Sequence, residues 1–103
     1  MTADVSAVAA LAMSYDTYES GGGGWYYNFG TSVSSPIVAG IYALAGNFSS
    51  ATTPASIAYA NPTKFFDIRS GSEGTCTPSY FCKAGAGYDG PTGLGSPKGD
   101  GGF

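Results

Sequence analysis

A seven-residue stretch, Gly30-Thr31-Ser32-Val33-Ser34-Ser35-Pro36, runs directly into the apolar segment Ile37 to Ala45 and fixes what the middle of this chain can be. Val33, Ile37, Ile41 and Leu44 recur at spacings of four, four and three, which is one face of a helix. Gly46 and Asn47 supply a stop. The spacing predicts a buried helix over Ser32 to Gly46, with Pro36 early enough that its missing N–H falls near the unpaired donors of the first turn. Ser32 is then a hydroxyl at the helix N-terminus, where outward N–H groups and the helix dipole favour negative charge. That position suits a serine nucleophile whose attack creates an oxyanion. The same pattern also serves as a plain N-cap, because Ser and Thr are favoured just before apolar helices.

Around this helix the chain reads in short pieces. Asp4 to Ala9 alternates and then runs apolar, as a strand entering a core does. Tyr15-Asp16-Thr17-Tyr18 is a short β candidate, Ser20 to Gly24 a glycine-rich turn, and Trp25 to Phe29 the aromatic returning strand of a hairpin. This hairpin delivers the chain to Gly30 and Ser32. Phe48 to Thr53 is a polar loop; Thr53-Pro54 starts a short helix through Tyr59, as N-cap and first helical residue, and Asn61-Pro62 breaks it. Phe65 to Ile68 is strand-like. From Ser70 onward the chain is nearly all turn and loop, and a loop of that length in a compact domain needs something to hold it.

Two fasteners are available. Cys76 and Cys82 share one Gly/Ser/Pro-rich loop, where a local disulfide is the expected pairing and two cysteines are too few for a closed zinc site. Such a bridge favours an oxidising, extracellular compartment. Asp67 and Asp89 are carboxylates at the two ends of a glycine-rich segment, and carboxylates with freely presented carbonyl oxygens suit a hard cation such as Ca²⁺. Capping of turns is the other use of aspartates in such loops.

The composition excludes several partners. Four Lys and Arg stand against seven Asp and Glu in 103 residues, a net charge of −3, so no basic patch exists for nucleic acid. The longest apolar run falls well short of the roughly 20 residues of a membrane span, and Val5 to Met13, apolar but preceded by Asp4 and nothing basic, does not read as an export signal. Nor does the chain contain histidine.

Three stretches together resemble the sedolisins, the serine-carboxyl peptidases of the subtilisin-like clan. Gly30 to Pro36 is similar to their Gly-Gly-Thr-Ser-x-Ser-x-Pro, with Phe29 where the first glycine often stands. A subtilisin proper needs a histidine base; a sedolisin uses glutamate, consistent with a chain without histidine. Phe66-Asp67-Ile68-x-Ser70-Gly71, then Gly85-Ala86-Gly87-Tyr88-Asp89, then Thr92-Gly93-Leu94-Gly95-Ser96-Pro97 resemble the calcium loop that closes the family's domain. Asp4-Val5-Ser6-Ala7 looks like the family's Pro-Asp-Val-Ser-Ala strand, with Ala3 replacing proline.

The resemblance implies an α/β fold, with residues 1–103 forming the C-terminal portion of a subtilisin-like peptidase domain. It implies Ser32 as the nucleophile, and Ca²⁺ held by the side chains of Asp67 and Asp89 and the backbone carbonyls of Ile68, Gly85 and Gly87. It further implies a secreted protein that cleaves peptide or protein substrates in acid by acyl transfer. The family's glutamate base, its aspartate partner and an oxyanion-hole aspartate lie far upstream of the serine. Only 31 residues precede Ser32, and Asp4, Asp16 and Glu19 do not sit in those motifs. The isolated chain is therefore expected to be inactive, with the missing N-terminal part of the domain as a partner. A non-catalytic, calcium-stabilised remnant that binds something, and a Tyr/Gly-rich extracellular structural module, are the competing functions.

Overall fold

The computed structural model describes residues 3–16, 23–47, 49 and 53–103, and shows a small mixed α/β chain. Strands β1 (Ala12–Asp16) and β2 (Gly24–Asn28) form an antiparallel hairpin, with Met13 opposite Tyr27 and Ser14 opposite Tyr26. The expected β piece at Tyr15 thus starts earlier, at Ala12; Thr17, Tyr18, Glu19 and most of the Ser20 to Gly24 turn lie outside the described residues. Helix α1 spans Thr31–Ala45 and helix α2 spans Pro54–Ala60. Strands β3 (Phe65–Phe66) and β4 (Ser96–Pro97) pair antiparallel. Both described sheets are two-stranded, and no parallel pairing occurs among the described residues. No described helix is long and apolar enough to cross a membrane.

Helix α1 departs from its expected setting in two ways. Its N-cap is Gly30, with a φ of 96°, so Thr31 and Ser32 are the first two helical residues and Pro36 falls in the second turn. The N–H that Pro36 lacks is the one that would have reached the Ser32 carbonyl, an interior hydrogen bond rather than one of the terminal orphans. Gly46 ends the helix in the left-handed conformation, its N–H on the Tyr42 carbonyl at 3.3 Å. The second departure is burial. No residue of α1 is fully buried; Leu44 is 79 % exposed and Ile37 is 38 % exposed. Ile41, from the expected stripe, packs inward together with Val38, Tyr42 and Ala45, so the inward face is centred about a quarter turn from the expected one at 3.6 residues per turn. The helix carries apolar residues on both stripes, so periodicity alone could not choose between them.

The core is small: Ala58 of α2, Phe65 of β3 and the terminal Phe103, with Val5, Leu94 and the inner stripe of α1 around them. Phe103 stacks against Tyr42 with ring centroids 3.9 Å apart and meets Phe65 edge-on at 5.5 Å, an arrangement favoured by the ring quadrupoles. Asn47 donates to the Phe103 carbonyl at 2.7 Å, and the Tyr42 hydroxyl donates to the Pro54 carbonyl at 2.6 Å.

The segment Ala3 to Ala9 does not form a strand of a sheet. It is laced between the loop and the helix instead: Ala3 N–H reaches Gly90, Leu94 N–H reaches Asp4, Ser6 N–H reaches Gly95, and Gly30 N–H reaches Ala9, all at 2.7–2.9 Å. Two glycines make that lacing possible. A Cβ on Gly93 would overlap the Asp4 carbonyl and one on Gly95 would overlap the Phe66 carbonyl, and both have positive φ.

The molecule is open for its size. It exposes 6745 Å², against about 5,400 Å² for a folded chain of 10.4 kDa. Its radius of gyration is 15.4 Å, against about 13 Å for a compact chain of this length.

Candidate functional site

Ser32 is exposed at the second position of α1. It is not the N-cap, and its hydroxyl makes no hydrogen bond to any described residue. The N–H groups of Thr31 and Ser32 have no backbone acceptor among the described residues, while Val33 N–H closes the first turn on Gly30 at 3.0 Å. These are the unpaired donors that a helix start presents. Next to Ser32 lies a groove of about 360 Å³, walled by Ala12, Met13 and Ser14 of β1 and by Val33, Pro36 and Ile37 of α1. No described carboxylate contacts the Ser32 hydroxyl. Ser34, one turn on, is committed to structure: its hydroxyl lies 3.2 and 3.1 Å from the Ala7 and Val8 carbonyls.

The second cluster gathers residues 20 apart in sequence. Asp89 is 2 % exposed. Its Oδ1 accepts from the Thr92 N–H at 2.9 Å and the Thr92 hydroxyl at 2.8 Å, and its Oδ2 accepts from the Gly85 N–H at 2.8 Å. Asp67 Oδ2 accepts from the Gly87 N–H at 3.0 Å and from Arg69 Nε at 2.7 Å. Burial pushes the Asp89 carboxyl up, and the neighbouring Asp67 charge adds to that, but the donors from Gly85 and Thr92 outweigh both and hold it below the ordinary carboxylate value. The Gly87 N–H, then Arg69, hold Asp67 below its ordinary value too.

Asp89 therefore caps its own turn through Thr92, whereas Asp67 ties across to Gly87 and Arg69. Asp67 Oδ1 receives no hydrogen bond from a described residue, and the carbonyls of Ile68, Gly85 and Gly87 accept none either. The contacts that join Gly85 and Gly87 to the two carboxylates run through their N–H groups. Among the described residues no three His, Cys, Asp or Glu side chains converge, so a cation here would rest on two carboxylates completed by backbone oxygen. Ile68 and Thr92 also line a cavity of about 550 Å³ whose opposite wall is Thr31, Ser34, Ser35 and Val38. Ile68 and Thr92 thus face the N-terminal half of α1 across this cavity.

The cysteines behave as the loop context predicts: Cys76 and Cys82 are bridged, with Cα atoms 6.0 Å apart. Inside the bridge a 3-10 turn at Ser79–Phe81 and, further on, β4 interrupt what otherwise reads as continuous loop. Sequence reasoning did not assign roles to Arg69 and Thr92. The available signals were local: Arg69 stands two residues from Asp67, and Asp89-x-x-Thr92 has the spacing of an aspartate closing its own turn.

Comparison with family models, with curated proteins and with solved structures gives no match for this chain.

Proposed function

We propose that this chain is the serine-and-calcium portion of a secreted acid endopeptidase of the sedolisin type, with Ser32 as its nucleophile and its glutamate base on residues outside these 103. The observation that carries the reading is that the N–H groups of Gly85 and Gly87 draw the carboxylates of Asp89 and Asp67 into one neighbourhood, near enough for the Asp67 charge to act on Asp89. The excess exposed surface supports it as well, because a portion of a larger domain leaves faces uncovered.

Residue by residue, the chemistry is limited. Ser32 offers a hydroxyl beside an apolar groove suited to a side chain of an extended peptide, and the Thr31 and Ser32 N–H groups, which have no backbone acceptor among the described residues, would be the donors to an oxyanion. Nothing described here removes the Ser32 proton, so the base must come from elsewhere. Ca²⁺, held by Asp67, Asp89 and the three carbonyls, would neutralise two adjacent carboxylates and clamp the loop. Both aspartates sit below the ordinary carboxylate range, so they remain charged ligands in the acidic range where a glutamate base, with a reference pKa near 4.3, operates.

The test joins the coding sequence upstream of Met1 to this chain and assays hydrolysis of a peptide at acidic pH. Turnover in the longer protein that Ser32→Ala abolishes, with none in the 103-residue chain, is the expected result. Turnover unaffected by Ser32→Ala would overturn it. Calcium binding without turnover in the longer protein favours the second reading, a calcium-stabilised remnant, and the same pair of carboxylates, Asp67 and Asp89, supports that reading.

A further inference from the structure

Between Glu19 and Lys64 the sequence has no Asp, Glu, Lys or Arg, so β2, α1 and α2 carry no charged side chain. Part of that surface is also apolar and uncovered. Met13 and Tyr27 stand opposite one another in the hairpin register, where paired side chains project from the same face. They are 56 % and 65 % exposed. Met13 lines the groove beside Ser32 together with Ile37, so the hairpin face continues onto the outer stripe of α1. Leu44, seven residues beyond Ile37 and therefore on the same stripe, is 79 % exposed. The nearest charge in the hairpin strands is Asp16, at the end of β1.

Surfaces that stay in water are ordinarily rich in charge, and large contiguous apolar patches mark interaction sites. The cores of protein interfaces have the composition of this face, with aromatic and Met side chains enriched and charge depleted. Area sets the size of the partner. The chain exposes 6745 Å², about 1,300 Å² above the value for a folded chain of its mass, and a standard interface removes about 800 Å² from each partner. The excess is enough for one such interface. Charge sets the kind of partner. A net charge of −3 repels a second copy at long range, but two faces built on β2 and α1 meet without setting like charges against each other. A strongly charged partner would find nothing on them to pair with. A two-fold axis through the face brings identical apolar surfaces together and closes the assembly at two.

We propose that the face running from Met13 and Tyr27 of the hairpin to Ile37 and Leu44 of α1 is the interface of a symmetric dimer of this chain. Such pairing uses neither a serine nucleophile nor a cation, so it goes beyond the proposed activity. Sedimentation velocity of the 103-residue protein over a concentration series tests it. The mass should rise from monomer to dimer, with a dissociation constant in the micromolar range. Raising the salt from about 0.05 to 0.5 M should leave the constant unchanged or tighten it, because screening removes only the repulsion between the two net charges. Tyr27→Asp and Leu44→Asp, each at an exposed position of the monomer, should weaken pairing by about tenfold or more. Tyr80→Asp, exposed in the disulfide loop, should stay within about threefold of the parent. Far-UV circular dichroism of dilute samples checks that each variant is folded. A monomer at every concentration, a dimer that salt weakens about tenfold, or a dimer that folded Tyr27→Asp and Leu44→Asp both leave intact would each overturn the proposal. If the longer protein carrying the upstream coding sequence stays monomeric while the 103-residue chain pairs, the second copy is overturned as the occupant and the upstream segment takes its place.

Discussion

The hairpin and helix between Ala12 and Ala45 expose most of their large side chains, whereas the glycine-rich chain from Phe65 to Phe103, with little helix or strand, holds nearly all the buried residues. Met13, Trp25, Tyr26, Tyr27 and Leu44 are all more than four-tenths exposed. Phe65, Cys82, Asp89, Gly90, Gly93, Gly95, Gly102 and Phe103 are buried, and from the rest of the described chain only Ala58 joins them. Regular secondary structure and burial have come apart. A strand or helix needs a partner to bury its apolar face. The loop reaches close packing without one, because glycine lets backbone lie directly on backbone.

The largest effect expected breaks that packing. Gly95→Ala puts a Cβ onto the Phe66 carbonyl at a φ of +100°, and it should cost about 3 kcal/mol or more. Gly40→Ala is its counterpart in α1, where nothing lies within 4 Å of the new Cβ and the backbone is helical. It should stabilise by about 0.5–1 kcal/mol. Thermal unfolding of the pair checks both signs. If Gly95→Ala unfolds at the parent temperature, the loop is not packed as described.

The same contrast explains what the sequence made legible. Helix α1, helix α2 and the hairpin were readable because their signals are local: spacing, Pro54 at the start of α2, and aromatic residues on either side of a glycine turn. The bridge between Cys76 and Cys82 was readable for the same reason. The face of α1 was not, since Leu44 and Val38 are equally apolar and only the position of Phe103 and Phe65 decides which turns inward. Asp4 to Ala9 alternates as a strand does, but its partners in the loop are single backbone groups of Leu94 and Gly95 rather than a ladder. In the candidate site the residue types were visible, Ser32, Asp67 and Asp89 among them. The hydrogen bonds that hold the two carboxylates at Gly85, Gly87, Arg69 and Thr92 belong to the folded loop.

A second test addresses the buried carboxylate on which the loop turns. Asp89→Asn replaces an acceptor of three hydrogen bonds with an amide that cannot accept them all, at 2 % exposure, and should cost about 2 kcal/mol at neutral pH. The pH dependence has a definite sign. Both Asp89 and Asp67 have folded values below their unfolded ones, so their contribution is present above about pH 3.9 and is lost as pH falls through the folded values. Denaturant unfolding from pH 6 downward should show the parent losing stability on the acid side and Asp89→Asn losing less. Parallel curves would mean that the carboxylate is not held as described.

A smaller effect sits where the loop meets α2. The Asp4 carboxylate that accepts the Tyr59 proton, followed by burial and Tyr88, raises the Tyr59 hydroxyl well above its ordinary value. A raised folded value means the contribution is complete below the unfolded value near 10 and is lost as pH rises past it. Tyr59→Phe should cost under about 1 kcal/mol at neutral pH, since the pair is exposed, and should remove part of the alkaline loss.

The smallest effect is the sharpest on the comparison itself. Leu44 lies on the stripe that periodicity assigns to the interior, yet it is 79 % exposed, while Ile41 of the same stripe and Val38 outside it pack against the core. Were the outer stripe buried in the isolated chain, truncating Leu44 to Ala would cost about 2–5 kcal/mol. At this exposure, Leu44→Ser should change stability by less than about 0.5 kcal/mol, whereas Ile41→Ala should cost several times more. A large loss from Leu44→Ser in dilute monomer would show that the outer face is covered by the chain itself. A loss that appears only at high protein concentration would show that a second copy covers it, and the contrast between exposed helix and buried loop would then belong to the monomer alone.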